Sequence, residues 1–258
     1  MATPRFLTAL PVFNEAQHLT PVLDQVLQFS PDVLVIDDGS SDGTAELLRQ
    51  RTDLQMLQHP VNRGYGAALA SAFDYARQHG FDTLVTIDCD GQHEPRLIPE
   101  LVAALEKDVG QKRLDIVSGS RYLEHFSNES VPPADRRHIN HVITQLLNRT
   151  LGLNLTDAFC GFKAYRVESL RHFEITEEGY AMPLQLWVQA VAAGLKIEEY
   201  PVPLIYLDEE RSFGGALDNA RYRLAHYRCV LDRELARFPQ LEQPAECGSA
   251  TSCTTTER

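Results

Sequence analysis

Residues 84–93, LVTIDCDGQH, climb through an apolar, β-rich run and end on two aspartates, Asp88 and Asp90, separated only by Cys89. If a strand persists through them, alternate side chains share a face and the two Cα atoms stand roughly 6 to 7 Å apart. Carboxylates that close repel unless a cation neutralises them. Oxygen donors suit a hard ion, and Mg²⁺ or Mn²⁺ takes one or two carboxylates while substrate phosphates and water complete its shell. Gln92 and His93 follow closely enough to add a ligand or a supporting contact. The plainer alternative is a strand end followed by an Asp-Gly turn. An EF-hand is excluded, because Gly91 stands at the fourth place instead of the sixth and no Glu occupies the twelfth.

A second acidic run, VIDDGSSDGT, places Asp37 and Asp38 at another strand end. In doubly wound sheets a carboxylate there accepts hydrogen bonds from a ribose or base, and Asp38 is the stronger candidate. Asp42, with Ser40, Ser41 and Gly43, reads as a turn and helix cap. The first strand end, LPVFNEA, contains no glycine, so it cannot supply the G-x-G-x-x-G turn that lets a backbone approach a pyrophosphate. NRGYGAAL holds a G-x-G but lacks the third glycine, which argues against NAD. A diphosphate bound here would have to be met by a metal and by arginines.

The elements around these motifs alternate between period-2 and helical patterns, as in βαβ units of a mainly parallel sheet. Strands are expected at FLTALPVF, DVLVIDD, LQMLQH, DTLVTID and DIVSGSR, with amphipathic helices at LTPVLDQVLQF, TAELLRQ, GAALASAFDYARQHG and PRLIPELVAALEK. Ligands of open α/β sheets bind at the carboxyl ends of the strands. After Arg121 come a polar loop, EHFSNESVPPADRR, a helix at HVITQLLNRTLG, a strand at FCGFKAYRV, a helix at MPLQLWVQAVAAG and a proline-bearing edge strand at KIEEYPVPLIYL. A final amphipathic helix lies within GGALDNARYRLAHYRCVLDRELARF, and from Pro239 the polar Ser/Thr-rich sequence predicts disorder.

Bulk composition narrows the partners. A 258-residue chain with 43% apolar residues can bury one large core, and its net charge of −12 argues against nucleic acid. Five scattered cysteines form no CxxC pair and suggest a reducing cytoplasm. No apolar run is long enough to span a membrane, so any membrane contact is expected to be peripheral.

With LPVFNE, VIDDGSSDGT, NRGYGAAL, TIDCDGQHEP, SGSRYL and DAFCGFKAYR in order, residues 5 to 215 resemble family 2 glycosyltransferases, most of all dolichyl- or polyprenyl-phosphate mannose and glucose synthases. The resemblance implies an α/β GT-A fold, a Rossmann-like, mainly parallel sheet flanked by helices. It is expected as a single domain over residues 1–238, with a disordered tail at 239–258. It also implies transfer, with inversion, of a sugar from GDP-mannose or UDP-glucose to a lipid phosphate with Mg²⁺ or Mn²⁺. By the same resemblance Pro11, Phe13, Glu15, Ile36, Asp38, Asp88, Cys89 and Asp90 contact the nucleotide sugar. Asp88, Asp90 and Gln92 form the metal site, and Asp90, Arg121 and Arg211 act in catalysis, the arginines on donor or acceptor phosphates.

Relatives acting on hydroxyls use an Asp as general base near the start of the late helix, where this chain reads EEGYAMPLQLW. A phosphate acceptor is already anionic and dispenses with a base. The chain departs from many lipid-phosphate members at Glu178, where they carry Lys, at Gln185, where they carry Glu, and at Leu217, where they carry Lys. These departures keep two alternatives open: a hydroxyl acceptor with Glu177 or Glu178 as base, or a nucleotide-sugar-binding module without turnover. A lipid acceptor would be reached at the cytoplasmic face of a membrane through the 122–136 loop, the last helix or a partner protein. Cys160, Trp187 and Phe162 read as core, Arg136 and Arg137 as a solvated surface pair.

Overall fold

The computed structural model describes residues 4–109, 112–126, 130–206 and 215–241. In chain order the elements are β1 (Phe6–Val12), α1 (Leu19–Val26), β2 (Val33–Asp37), α2 (Thr44–Arg49), β3 (Gln55–Gln58), α3 (Tyr65–Gln78), β4 (Thr83–Thr86) and α4 (Ile98–Glu106). There follow β5 (Asp108–Val109), β6 (Lys112–Arg113), β7 (Ile116–Ser120), α5 (Ala134–Leu151), β8 (Lys163–Arg166), α6 (Met182–Ala192), β9 (Ile197–Pro201) and α7 (Ala220–Leu235). Seven strands form one sheet in the order β3-β2-β1-β4-β8-β7-β9. Every pairing is parallel except those of β8, which runs antiparallel to both β4 and β7.

Strand alternation divides the core between the two faces of this sheet. Leu7, Ala9, Leu34 and Ile36 pack with residues of α3, α5, α6 and α7, whereas Leu10, Val12, Val33 and Val35 pack with α1 and α4. β1 lies between β2 and β4, so the first crossover goes to one side of it and the later strand β4 adds on the other. That reversal of strand order opens a crevice at the carboxyl ends of β1 and β4.

Several boundaries differ from expectation. β4 ends at Thr86, so Asp88 and Asp90 lie beyond the ladder in a turn instead of alternating along a strand. The FCGFKAYRV segment is strand only over Lys163–Arg166, and the preceding residues form a loop. α5 begins at Ala134, directly after Pro133, so part of the expected polar loop is helix; Arg137 N–H donates to the Pro133 carbonyl at 3.0 Å. The short β5–β6 hairpin was not foreseen. β9 occupies the sheet edge as expected but ends at Pro201, where the missing N–H removes no ladder bond that a neighbour needs; residues 202–206 are not strand. Pro239–Leu241 forms one 3-10 turn inside the expected tail, and the rest of that tail lies outside the described residues.

Candidate functional site

A cavity of about 570 Å³ opens over the crevice between β1 and β4, a volume within the usual range for small-molecule sites. Pro11, Phe13 and Glu15 line it from the end of β1, Asp38 from the end of β2, and Asp88, Cys89, Asp90 and Gln92 from the loop after β4. Ile36 does not reach it. Its side chain is fully buried among the α3-side core residues, because the alternation that sends Asp37 one way sends Ile36 the other.

The acidic turn is held from several directions. Tyr65 Oη donates to Asp88 Oδ1 at 3.1 Å, and His93 Nε2 lies 3.6 Å from Asp88 Oδ2. Burial first, and the field of Asp88 second, push the Tyr65 phenol well above its usual pKa, so it is a donor at neutral pH. Asp90 Oδ1 accepts the Gln92 backbone N–H at 3.0 Å, closing the turn. Asp42 has the structural role expected of it: its carboxylate accepts from Thr44 N–H, Thr44 Oγ1 and Ala16 N–H.

Asp38 lines the cavity, but its carboxylate is engaged by the protein. Oδ1 lies 2.6 Å from His59 Nδ1 and accepts Arg63 N–H at 3.0 Å, and Oδ2 accepts Gly64 N–H at 2.7 Å. Asp38 therefore fixes the 59–64 loop that leads into α3. The glycines of NRGYG have an unexpected cause. A Cβ on Gly64 would lie 2.4 Å from the Glu178 carbonyl oxygen, and one on Gly66 would lie 2.1 Å from that of Glu177. The Glu178 carbonyl in turn accepts Gly66 N–H at 2.7 Å. A backbone carbonyl thus occupies the start of α3, and a phosphate does not bind that helix end as it would in a dinucleotide fold.

The cavity lining also carries cations. Arg121, after β7, forms a two-pronged pair with the buried Asp157 and lines the cavity. Asn140 Nδ2 donates to Asp157 Oδ1 at 2.7 Å. Burial alone would raise the Asp157 pKa, but Arg121 and Asn140 outweigh it and hold the carboxyl at about 2. Arg136 and Arg223 complete the basic wall. Arg136, read as solvated surface, lines the cavity from the first turn of α5. Arg223 is buried, donates to the Leu217 carbonyl and pairs with Asp135 at 2.6 Å; it and Asp157 were missed, since their partners are remote in sequence. Arg211 lies outside the described residues.

Two of the unusual residues, Gln185 and Glu178, have partners of their own in the fold. Gln185 is buried away from the cavity, accepting Thr176 and Glu177 N–H and donating to Glu234 Oε2 at 2.7 Å. A carboxylate there would face Glu234. Glu178 pairs with Arg63 at 2.9 Å, and Glu177 pairs with Arg233 at 2.8 Å. Trp187 and Phe162 are core, and the buried Cys160 thiol is pushed up to about 12 by burial, which makes it inert.

Among the described residues no three His, Cys, Asp or Glu side chains converge into a complete metal cage. Asp88 and Asp90 nonetheless fit a hard divalent ion that takes its remaining ligands from a diphosphate, since both border a cavity with room for one.

The model of glycosyl transferase family 2 matches residues 8–173. The chain is 31% identical over 227 residues to an undecaprenyl-phosphate mannosyltransferase of Micrococcus luteus, a match covering 84% of this chain and 90% of that protein. It is 30% identical over 248 residues to a polyprenol monophosphomannose synthase of Mycolicibacterium smegmatis, covering 90% of each. Glucosyl-3-phosphoglycerate synthase of Mycobacterium tuberculosis, solved with Mn²⁺, UDP and phosphoglyceric acid, superposes with a TM-score of 0.66 at 19% identity, over 94% of this chain and 80% of that one. That likeness establishes a GT-A-like fold.

Proposed function

Because this chain belongs to glycosyl transferase family 2, as its family match and 30% identical relatives establish, we propose that it moves a hexose from a nucleotide-diphosphate donor to a polyprenyl phosphate with inversion. GDP-mannose and UDP-glucose are the candidate donors. One observation carries the acceptor reading: a single cavity is lined both by Asp88 and Asp90 and by Arg121, Arg136 and Arg223. The two glutamates that could have served as a base for a hydroxyl, Glu177 and Glu178, do not line it and are paired with arginines instead.

Asp88 and Asp90 would hold Mg²⁺ or Mn²⁺, which when bound neutralises the diphosphate as it leaves. Pro11, Phe13 and Glu15 bound the nucleoside end of the cavity, and Asp38 sets the loop beside it. Arg121 uses Nε and Nη2 on Asp157, which leaves donors of its five N–H groups for a phosphate. With Arg136 and Arg223 it would orient an acceptor phosphate oxygen toward the anomeric carbon, opposite the departing diphosphate. The nucleophile is already charged, so alignment and electrostatics are what the site must supply.

Among the described residues no helix is long and apolar enough to cross a membrane. We propose that a lipid acceptor is met by peripheral contact or through a membrane-protein partner, at the cytoplasmic face. Leu123 and Val131, both exposed within the 122–136 segment, give that segment apolar side chains for a lipid surface.

The test is transfer from radiolabelled GDP-mannose and UDP-glucose to polyprenyl phosphate in detergent micelles, with and without Mn²⁺. Cation-dependent label in the organic phase is expected with one of the donors. Label confined to the aqueous phase, or none with either donor, overturns the reading.

A further inference from the structure

We propose that Tyr65 and Gly161 are positioning residues that hold the Asp88 carboxylate in one orientation, so that cation and diphosphate meet it already aimed. The inference rests on the reading that Asp88 and Asp90 hold a cation together with the donor.

Three separate stretches of chain converge on this one side chain. Tyr65 opens α3 and donates to Oδ1 at 3.1 Å. Its ring stacks on Tyr180 with centroids 5.7 Å apart, and the close packing of Gly64 and Gly66 on residues 177–178 fixes where the helix begins. The ring could pack equally well as phenylalanine. What the hydroxyl adds is the bond to Asp88.

Gly161 backs the carboxylate from the loop before β8. A Cβ there would lie 2.2 Å from Oδ2 and 2.6 Å from Oδ1, so any side chain would displace the group. Thr86 Oγ1 donates to the Gly161 carbonyl at 2.7 Å and ties that backbone to β4. His93 faces Oδ2 across 3.6 Å, too long for a hydrogen bond, with its ring against Phe162. Its buried Nδ1 has no hydrogen-bond partner among the described residues. Of these three contacts, the Tyr65 hydroxyl makes the hydrogen bond. Without that bond Asp88 would be held less firmly before the ion binds, and affinity would fall by the added ordering cost.

The experiment measures Mn²⁺ affinity by electron paramagnetic resonance in the presence of GDP or UDP for the wild type, Tyr65→Phe, Asp88→Asn and the double variant. Tyr65→Phe is expected to weaken nucleotide-dependent Mn²⁺ binding about five- to tenfold, the worth of one hydrogen bond to a charged group. The melting temperature should hold, saturating Mn²⁺ should restore turnover, and the substitution should cost nothing further in the Asp88→Asn background. Gly161→Ala should lose at least as much affinity. Wild-type affinity in Tyr65→Phe, or an undiminished loss in the double variant, overturns the inference. A wild type without nucleotide-dependent Mn²⁺ binding overturns the donor reading as well, which is a distinct result.

Discussion

Arg121 Nε lies 2.6 Å from Asp157 Oδ2 and Arg121 Nη2 lies 3.0 Å from Asp157 Oδ1, joining the end of β7 to the loop before β8. Asp157 is fully buried, and the Glu199 carboxylate grips the backbone N–H groups of Thr156 and Asp157 from the far side. The basic wall of the cavity is thus built on a carboxylate that never touches the cavity itself. Replacing Asp157 by Asn strands a largely buried guanidinium and should cost about 3 kcal/mol. Thermal melts should show the loss, and transfer should fall further than the melting temperature accounts for, because Arg121 is no longer aimed.

The same pair sets an acid limit. Asp157 titrates at about 2 in the fold, below its ordinary value, so its stabilisation is complete above about pH 4 and is lost as pH falls toward 2. The loss is on the order of 2 kcal/mol. Urea denaturation of wild type and Asp157→Asn at pH 7 and pH 3 should show the gap between them narrowing at the lower pH.

Asp90→Ala should reduce transfer by about a hundredfold or more, a far larger effect than on the melting temperature, since Asp90 lines the cavity and its Oδ1 accepts the Gln92 N–H within one turn. Steady-state rates at several Mn²⁺ concentrations check this. A variant that retains wild-type turnover would remove Asp90 from the reaction.

Gln185→Glu, the change toward the relatives' residue, should destabilise the protein by about 2 kcal/mol or more instead of improving it. Gln185 Nε2 and Gln189 Nε2 both donate to the buried Glu234, so a new carboxylate would oppose one already there. A melt at pH 7 reads the effect. Adding Glu234→Gln should recover part of the loss.

Gly66→Ala tests the NRGYG motif separately from nucleotide binding. Its Cβ would lie 2.1 Å from the Glu177 carbonyl and 2.9 Å from Met182 Cβ, so overpacking should cost about 3 kcal/mol. Circular dichroism melts would show that loss without any ligand present.

Much of this arrangement was legible in the residues. Apolar, β-rich runs marked β1, β2 and β4, the rule that ligands sit at carboxyl strand ends pointed to Asp38 and Asp90, and the family resemblance added Phe13, all of which line one cavity. The absence of glycine after β1 pointed away from a pyrophosphate turn, and the carbonyl at the head of α3 agrees. Less was legible wherever partners are distant in sequence. Asp157 lies 36 residues from Arg121, and Arg223 lies 88 from Asp135, so no local pattern distinguishes either from surface charge.

The sequence by itself determined that acids would gather at the ends of neighbouring parallel strands, because hydrophobic period and turn chemistry are local properties of the chain. Only the tertiary structure decided what each acid does. Asp38 is drawn to the 59–64 backbone, Asp88 to Tyr65, and Asp157 to Arg121. Which hydrogen-bond donors surround a carboxylate depends on which helices and loops pack over it, and that is settled by burial across the whole sheet.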